Sequence, residues 1–233
     1  SEAIATAPNK AARERLIKAL TGPAASDSDR AMVREFELAK REAEGSGEFI
    51  RGSARFALSA VGDLNTYALF SEHFLSLIRS GGRSGMIVPT GIVTDSSTKA
   101  FFDAISSGGR LASLYDFENR EGFFPAVDSR MKFSLLTLCS QANSTDFVFF
   151  ATSIGDLNDK VRHFSLNSND IALINPNTRT CPVFRSAHDA DITKQIYSRV
   201  PVLIYKDSGE KGNPWGVSFS TMFHMTNDIH LMR

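Results

Sequence analysis

The residues best suited to chemistry are Pro89 and Thr90, which end a short apolar run, and Phe123 and Phe124, which stand in a loop before a second apolar run. Open α/β sheets bind their ligands at the carboxyl ends of their strands, so Pro89 and Thr90 are predicted to line a substrate pocket. A strand end combined with an aromatic loop is typical of an α/β domain that acts on nucleotides. In the simpler interpretation, Pro89 and Thr90 only shape a turn and the phenylalanines only pack in the core.

The composition argues against several classes of protein. The 233 residues include 26 basic and 26 acidic side chains, and this balance argues against a protein that coats nucleic acid, so any DNA contact must be local. No apolar run approaches the roughly 20 residues of a membrane helix, and membrane attachment is not expected. The two cysteines lack a paired spacing, which favours a reducing, cytoplasmic location. The five histidines are scattered, so neither a metal site nor a catalytic triad is expected.

Residues 1–62 are predicted to form a helical insertion or lid. A first amphipathic helix covers residues 9–20. A second helix is capped by Asp27 or Ser28, runs to about Glu44, and is expected to end at the Gly-Ser-Gly sequence of residues 45–47. Residues 48–62 are expected to be irregular.

Residues 63–164 alternate helical and strand patterns, which predicts an α/β domain with a partly parallel sheet. A helix capped by Asp63 places apolar side chains on one face: Tyr67, Phe70, Phe74 and Ile78. A central parallel strand at residues 86–88, a helix at 96–107 and a strand at 111–117 follow. Residues 133–139 and 147–151 are expected to form an antiparallel hairpin at the sheet edge. Residues 165–233 are loop-rich.

Four groups of segments, taken together, carry a family resemblance. They are residues 63–70; residues 82–95, which include Ile-Val-Pro-Thr-Gly; residues 114–119, Leu-Tyr-Asp-Phe-Glu-Asn, with Gly-Phe-Phe-Pro at 122–125 and residues 133–138; and residues 175–185 with Asn-Pro-Trp-Gly at 213–216. In this order they resemble the adenine-specific DNA methyltransferases of type IIG restriction-modification and BREX phage-defence systems. The resemblance spans most of the chain from about residue 45 onward.

The resemblance implies a partial Rossmann-like, class I methyltransferase sheet. Residues 86–88 would be its fifth strand, 111–117 its sixth, and 133–138 the antiparallel strand characteristic of methyltransferases. The family binds S-adenosylmethionine with the first half of the sheet, and its fourth strand ends in an Asn-Pro-Pro-aromatic loop. Neither that loop nor a glycine-rich cofactor loop occurs in this sequence. The chain is therefore expected to be a truncated domain that binds no cofactor alone, and no catalytic residue is assigned.

The resemblance also assigns binding residues. Phe124, and secondarily Phe123, would support an adenine that has left the duplex stack. Five cations would contact DNA phosphates, although a solvated rim explains each of them singly: Arg120, Arg130, Lys132, Arg179 and Arg185. Two sequences that mimic the catalytic loop, at 175–178 and 213–215, lack its second proline and are rejected.

The expected function is therefore that of a fragment of an S-adenosylmethionine-dependent adenine-N6 DNA methyltransferase, inactive alone. Its expected partners are double-stranded DNA and the missing N-terminal half or a partner chain, and the exposed edge of half a sheet favours self-association. One alternative is a non-catalytic DNA-binding or assembly module with a methyltransferase-like half-fold. A second is an unrelated α/β enzyme that holds a small ligand at the Pro89 turn. The sequence leading toward a target-recognition domain begins near residue 165.

Overall fold

The structure of the chain, a computed structural model, describes residues 2–222, 224–226 and 228–231. Two units are distinguished, with the boundary between Ala60 and Val61. Within the described residues, the helices are all too short or too polar to cross a membrane.

The first unit contains the helices α1 (Glu2–Ala5), α2 (Lys10–Ala19) and α3 (Asp27–Gly52). Asn9 caps α2 by accepting a hydrogen bond from the backbone N–H of Ala12 at 2.9 Å. Ser26 and Asp29 form a capping box at the start of α3, in which each side chain accepts from the other residue's N–H. None of the residues in these three helices is buried, so local helix interactions contribute more to their stability than burial does.

Helix α3 corrects two expectations from the sequence. Its cap is Ser26 rather than Asp27 or Ser28, and the helix continues through residues 45–47 to Gly52. A glycine inside an exposed helix costs only about 1 kcal/mol, so it weakens the helix without ending it. For the same reason, the prediction of irregular structure was wrong for residues 48–52, whereas residues 53–62 are irregular as predicted.

The second unit is a mixed α/β structure. Its strands are β1 (Arg83–Pro89), β2 (Leu111–Glu118), β3 (Lys132–Cys139), β4 (Asp146–Ala151) and β5 (Phe164–Ser165). Its helices are α4 (Thr66–Leu77), α5 (Gly91–Thr94), α6 (Lys99–Ser107), α7 (Ser168–Ile174) and α8 (Ala187–Arg199). Short 3₁₀ segments lie at Ser96–Thr98, Asn119–Glu121, Ile154–Asn158, Lys206–Gly212 and Ile229–Leu231.

The five strands form one mixed sheet in the order β1-β3-β2-β4-β5. Strand β3 lies between β1 and β2 and is antiparallel to both, so β1 and β2 run in the same direction. Strand β4 is parallel to β2 and also runs in that direction. The sheet is therefore partly parallel, as the alternation of helices and strands predicts.

Two predictions of strand pairing were wrong. Strand β1 is an edge strand whose described neighbour, β3, is antiparallel, and not a central parallel strand. Strands β3 and β4 do not form a hairpin, because β2 lies between them. Their connection spans β2 near its first residue, where the Thr145 hydroxyl donates to the carbonyl of Leu111 at 2.8 Å. A connection of this length can step across one strand, whose neighbours are about 4.8 Å away on each side.

The core of this unit is rich in phenylalanine and aliphatic side chains. Its largest fully buried side chains come from α5, α6 and the strands: Ile92, Val93, Phe101, Phe102, Ile105, Leu111, Leu114, Phe117, Leu136, Leu138, Phe147 and Phe149. Helix α4 does not turn the apolar face predicted from the sequence toward the core. Its Ser71 is buried and contacts the sulfur of Met86, whereas Phe70 is 58% exposed. The apolar face predicted for α4 therefore points largely away from the core.

Candidate functional site

The carboxyl ends of the three strands that run in one direction mark the candidate site. Strand β1 ends at Pro89, β2 ends at Glu118 and β4 ends at Ala151, and the antiparallel β3 begins at Lys132. Glu118 pairs with Lys132 in the sheet register, so these strand ends lie together along one edge of the sheet, the edge formed by the ends of the strands. Ligands of open α/β sheets bind at this edge.

An open cleft of about 390 Å³ lies at this edge. It is lined by the apolar residues Pro89, Met131, Phe149 and Val183 and by Tyr67, Thr90, Gly91, Thr94, Asp95, Asp116 and Lys132. Pro89 and Thr90 are the residues that the sequence assigns to a substrate pocket, and both lie in its wall. The mixture of apolar walls and a few polar groups is typical of a small-molecule site.

A buried carboxylate links the elements beneath this cleft. Asp116 is fully buried in β2, and it accepts hydrogen bonds from the hydroxyl of Thr90 at 2.5 Å and from the backbone N–H of Phe150 at 3.2 Å. The hydroxyls of Thr90 and Ser134 are 3.0 Å apart. Burial raises the pKa of Asp116, and the bonds from Thr90 and Phe150 only partly offset this effect. One side chain thus joins the tips of β1 and β4.

The aromatic loop between β2 and β3 is organised by Asn119. Its buried amide donates to the carbonyls of Phe124 and Val127, both at 3.0 Å, and its oxygen accepts from the N–H of Phe124 at 2.9 Å. Three bonds from one side chain therefore set the path of the loop. Asn119 is a residue that the sequence does not single out, although a polar side chain that directly follows a strand is a signal for such a role.

The two phenylalanines of this loop are part packed and part exposed. The ring of Phe124 meets Phe133 edge to face at 5.0 Å, and Phe123 meets Phe117 in the same way at 5.6 Å. Phe124 is 39% exposed and Phe123 is 38% exposed, so each ring keeps a free surface. Pro89 pairs with Phe133 in the sheet register, which puts Pro89 and Phe124 on the same side of the sheet. Neither phenylalanine lines the cleft itself.

The five cations assigned to DNA contact differ in their surroundings. Arg120 and Lys132 pair with Glu118, Arg130 pairs with Asp128, and Arg179 pairs with Asp103 at 3.4 Å. Local ion pairs of this kind describe Arg120, Arg130 and Arg179 adequately as parts of the protein surface.

Lys132 and Arg185 are brought together by a residue that the sequence does not single out. The Nζ atom of Lys132 lies 4.5 Å from the centre of the Phe150 ring, and the guanidinium carbon of Arg185 lies 4.4 Å from it. These two cations are 53 positions apart in the sequence, so only the fold shows that they share a ring. No local pattern around Phe150 predicts this arrangement.

Other candidate groups have local structural roles. The Nε2–H group of His163 donates to the carbonyl of Leu157 at 2.9 Å, and its Nδ1 atom lies 2.9 Å from Oδ2 of Asp146. Asp146 also accepts from the hydroxyl of Tyr115. This cluster lies at the start of β4, at the opposite edge of the sheet from the cleft. Within the described residues, no group of three or more side chains forms a metal site.

The two sequences that mimic a catalytic loop form turns. The side-chain amide of Asn175 donates to the carbonyl of Thr180 at 3.1 Å. Asn213 donates to the carbonyl of Val217 and accepts from its N–H. Both asparagine side chains are therefore engaged in bonds within their own loops.

Comparisons with known proteins give limited similarities. No family model and no curated protein matches the chain. Among solved structures, a chain of the type IIG restriction endonuclease BpuSI is similar over 40% of this chain, with 20% identity and a TM-score of 0.33. A chain from a type I restriction-modification system is similar over 60%, with 10% identity and a TM-score of 0.39.

The matched regions are also small parts of those structures. This chain covers 11% of the BpuSI chain and 37% of the type I system chain. Both TM-scores are below 0.5.

Proposed function

We propose that this chain is part of an S-adenosylmethionine-dependent adenine-N6 DNA methyltransferase of a restriction-modification or phage-defence system. The observation that carries the proposal is the meeting of two separate segments at one sheet edge. Pro89 pairs with Phe133, which the Phe124 ring contacts, and Pro89 and Thr90 line the cleft at the same ends of the strands. The class of ligand is a nucleobase that has left the duplex stack.

The strand arrangement supports the proposal. The resemblance assigns β1 and β2 to the fifth and sixth strands of a methyltransferase sheet and β3 to its antiparallel strand. Strands β1 and β2 do run in the same direction, and β3 lies between them, antiparallel to both. The additional parallel strand β4 departs from the expected hairpin.

The chain's own residues would bind and orient the base. The partly exposed rings of Phe124 and Phe123 offer a stacking surface, and Asn119 holds their loop in place. Pro89 and Thr90 would contact the base from the cleft, and Lys132 and Arg185 would contact the DNA backbone. Stacking of one base on an aromatic side chain contributes about 1–3 kcal/mol.

S-adenosylmethionine would supply the methyl group, but the residues of this chain do not fit it. A glycine-rich loop after a strand and an Asn-Pro-Pro-aromatic sequence are both absent from the 233 residues. The isolated chain is expected to transfer no methyl group from labelled S-adenosylmethionine to duplex DNA, and transfer by this polypeptide alone would contradict the proposal.

A Phe124→Ala substitution tests the role of the aromatic loop. In the enzyme that contains this chain, the substitution should weaken binding of a duplex with 2-aminopurine at the target position by roughly 5- to 100-fold, because one stacked ring is lost. The fluorescence of 2-aminopurine reports both binding and the displacement of the base. The matched control is Phe70→Ala, which removes an exposed phenylalanine of α4. Equal affinity of the Phe124→Ala variant and the native enzyme would remove the support for this role.

The second candidate function is a non-catalytic DNA-binding module. The convergence of Lys132 and Arg185 on Phe150, in a chain to which no catalytic residue is assigned, favours it. Salt-dependent binding of a 2-aminopurine duplex without an increase in fluorescence would distinguish this function from base displacement.

A further inference from the structure

The end of strand β4 contains a β-bulge beside the cleft. Tyr115 pairs with Val148 and Phe117 pairs with Ala151, so Phe149 and Phe150 together stand opposite Asp116. Phe150 has a φ of 60°, in the left-handed region that costs an L-residue roughly 1–2 kcal/mol. Bulges of this kind re-aim side chains and are frequent beside functional sites.

Side chains hold both backbone groups of Phe150. Its N–H donates to the buried carboxylate of Asp116 at 3.2 Å, and its carbonyl accepts from the guanidinium of Arg162 at 3.4 Å. Asp116 also accepts from the hydroxyl of Thr90, in the wall of the cleft. The bulge is therefore held by side chains and is connected to the cleft through one carboxylate.

The bulge places the ring of Phe150 where two cations meet. The Nζ atom of Lys132 and the guanidinium carbon of Arg185 each lie within 4.5 Å of the ring centre. Bringing two positive charges to one ring costs repulsion energy, which attraction to the ring and to a bound anion would offset.

The two cations are not equally neutralised. Lys132 also pairs with Glu118 at 3.3 Å, whereas no carboxylate lies within 4.0 Å of the Arg185 guanidinium in the part of the chain that the structure describes. The group around Phe150 thus holds a guanidinium, which can donate two parallel hydrogen bonds to one oxyanion, and an ammonium beside it. Two oxygens of a phosphate match this geometry of arginine.

We propose that Lys132, Phe150 and Arg185 form a clamp that binds a phosphodiester of the DNA strand entering the cleft, and that Phe150 is the positioning residue that orients the two cations. The clamp rests on the proposed function, because that function supplies the DNA strand. The position of Lys132, in both the clamp and the cleft wall, would put the bound phosphate next to the base in the pocket.

The charge of the clamp is tested by a salt titration of DNA binding. The probe is a fluorescein-labelled duplex, and its affinity for the 233-residue chain is measured by anisotropy at increasing salt. Each phosphate contact contributes about 0.9 to the slope of log K against log salt. Lys132→Ala and Arg185→Ala should each reduce the slope by about 0.9, and the double variant by about twice that amount.

The control removes a positive charge at the other end of β1. Arg83 is exposed and lies at the opposite edge of the sheet, so Arg83→Ala should keep the native slope. Native-like slopes in the Lys132→Ala and Arg185→Ala variants would overturn the clamp. A native chain that does not bind the duplex at about 50 mM salt would also overturn it, since clamp binding should be strongest at low salt.

The positioning role of Phe150 is tested by replacing its ring while both charges remain. Phe150→Leu keeps apolar bulk but loses the cation–π contacts, and it should weaken DNA binding by roughly 2- to 30-fold. Phe150→Tyr keeps the ring and should restore native affinity. Thermal unfolding of both variants separates this effect from misfolding, and equal affinity of the native chain and a folded Phe150→Leu variant would overturn the role.

Two further measurements identify the ligand and separate the clamp from the proposed function. Millimolar inorganic phosphate should compete only weakly with the duplex, and complete competition would indicate a site for a free anion and overturn the DNA assignment. In the enzyme that contains this chain, methyl transfer with native KM in the Lys132→Ala/Arg185→Ala variant would overturn the clamp alone. Absence of methyl transfer by the native enzyme, with the salt slopes as expected, would overturn the proposed function alone.

Discussion

Asp116 is the residue on which most of the site geometry depends. It is buried, and it accepts hydrogen bonds from the Thr90 hydroxyl, in the turn after β1, and from the Phe150 amide, in β4. Replacing it by alanine would leave the Phe150 N–H without this acceptor, at a cost of about 1–3 kcal/mol, whereas the Thr90 hydroxyl would keep the Ser134 hydroxyl as a partner. The conservative substitution Asp116→Asn is therefore the more informative test, because it keeps the size of the side chain.

We expect Asp116→Asn to lower the free energy of unfolding by an amount, its stability deficit, that depends on pH. Burial raises the pKa of Asp116 in the folded chain, so between its unfolded and folded pKa values the unfolded chain loses the proton first. The native protein is therefore penalised as pH rises through that window, whereas asparagine does not titrate. Urea unfolding of both proteins from about pH 3.5 to 7 should show the deficit of the variant shrinking as pH rises. A deficit that grows with pH would contradict a raised pKa.

The sequence indicates some residues of the candidate site and not others. Strand ends are visible as apolar runs that stop at a turn, so the sequence points to Pro89 and Thr90, which line the cleft, and their substrate role stays a prediction. Phe150 was missed because its role depends on a bulge and on two cations from distant segments. Asp116 offered a usable signal, since a charged residue inside an apolar strand needs a partner when it is buried.

Helix α3 shows how a local rule fails at the scale of an element. The glycine at position 45 was expected to end the helix, but α3 continues to Gly52. A Cβ atom built at Gly45 has no heavy atom within 4 Å, so an alanine fits without a clash.

Gly45→Ala should therefore stabilise α3. Alanine loses less backbone entropy than glycine when the helix forms, which should stabilise α3 by about 0.5–1 kcal/mol. This free energy corresponds to roughly two- to fivefold slower hydrogen exchange of the α3 amides. The contrasting control is Gly81→Ala, where a φ of 74° requires glycine and the substitution should destabilise the second unit. Unchanged or faster exchange in α3 of Gly45→Ala would show that the helix is not formed through this position.

The strand extents were predicted well and the strand pairing was not. The predicted strands at 111–117 and 133–139 match β2 and β3 to within one residue at each end. The hairpin between β3 and β4 was wrong because alternation of apolar residues says which residues are buried but not which strand is adjacent. Placing β2 between them lets Phe117 stack on Phe133, a contact between residues 16 positions apart.

At the scale of the whole molecule, strand β1 forms one open edge of the sheet. Strand β1 has β3 on one side and no strand on the other among the described residues, and its Ile87 is 60% exposed. Edge strands with apolar side chains pair readily with other chains. The sequence predicts that such an edge leads either to self-association or to a poorly ordered N-terminal region, and both remain predictions.

Ile87→Lys tests self-association through this edge. If copies of the chain pair along β1, the native protein should show a concentration-dependent sedimentation coefficient, and the added charge should shift it toward the monomer. The control is Ile154→Lys, which adds the same charge at an exposed isoleucine in a 3₁₀ segment outside the sheet. A native protein that sediments as a monomer at all concentrations, like the variant, would rule out association through β1.

The sequence alone determined the class of structure, the extents of most elements in residues 63–164 and the strand end at Pro89 and Thr90, because these depend on local periodicity and on turn residues. Only the tertiary structure decided that β1 is an edge strand, that β2 separates β3 from β4, and that Lys132 and Arg185 share the ring of Phe150. These features depend on hydrogen bonds and packing between segments far apart in the chain. Such contacts leave no periodic pattern in the sequence. Each segment would show the same pattern of apolar and polar residues in several different strand arrangements.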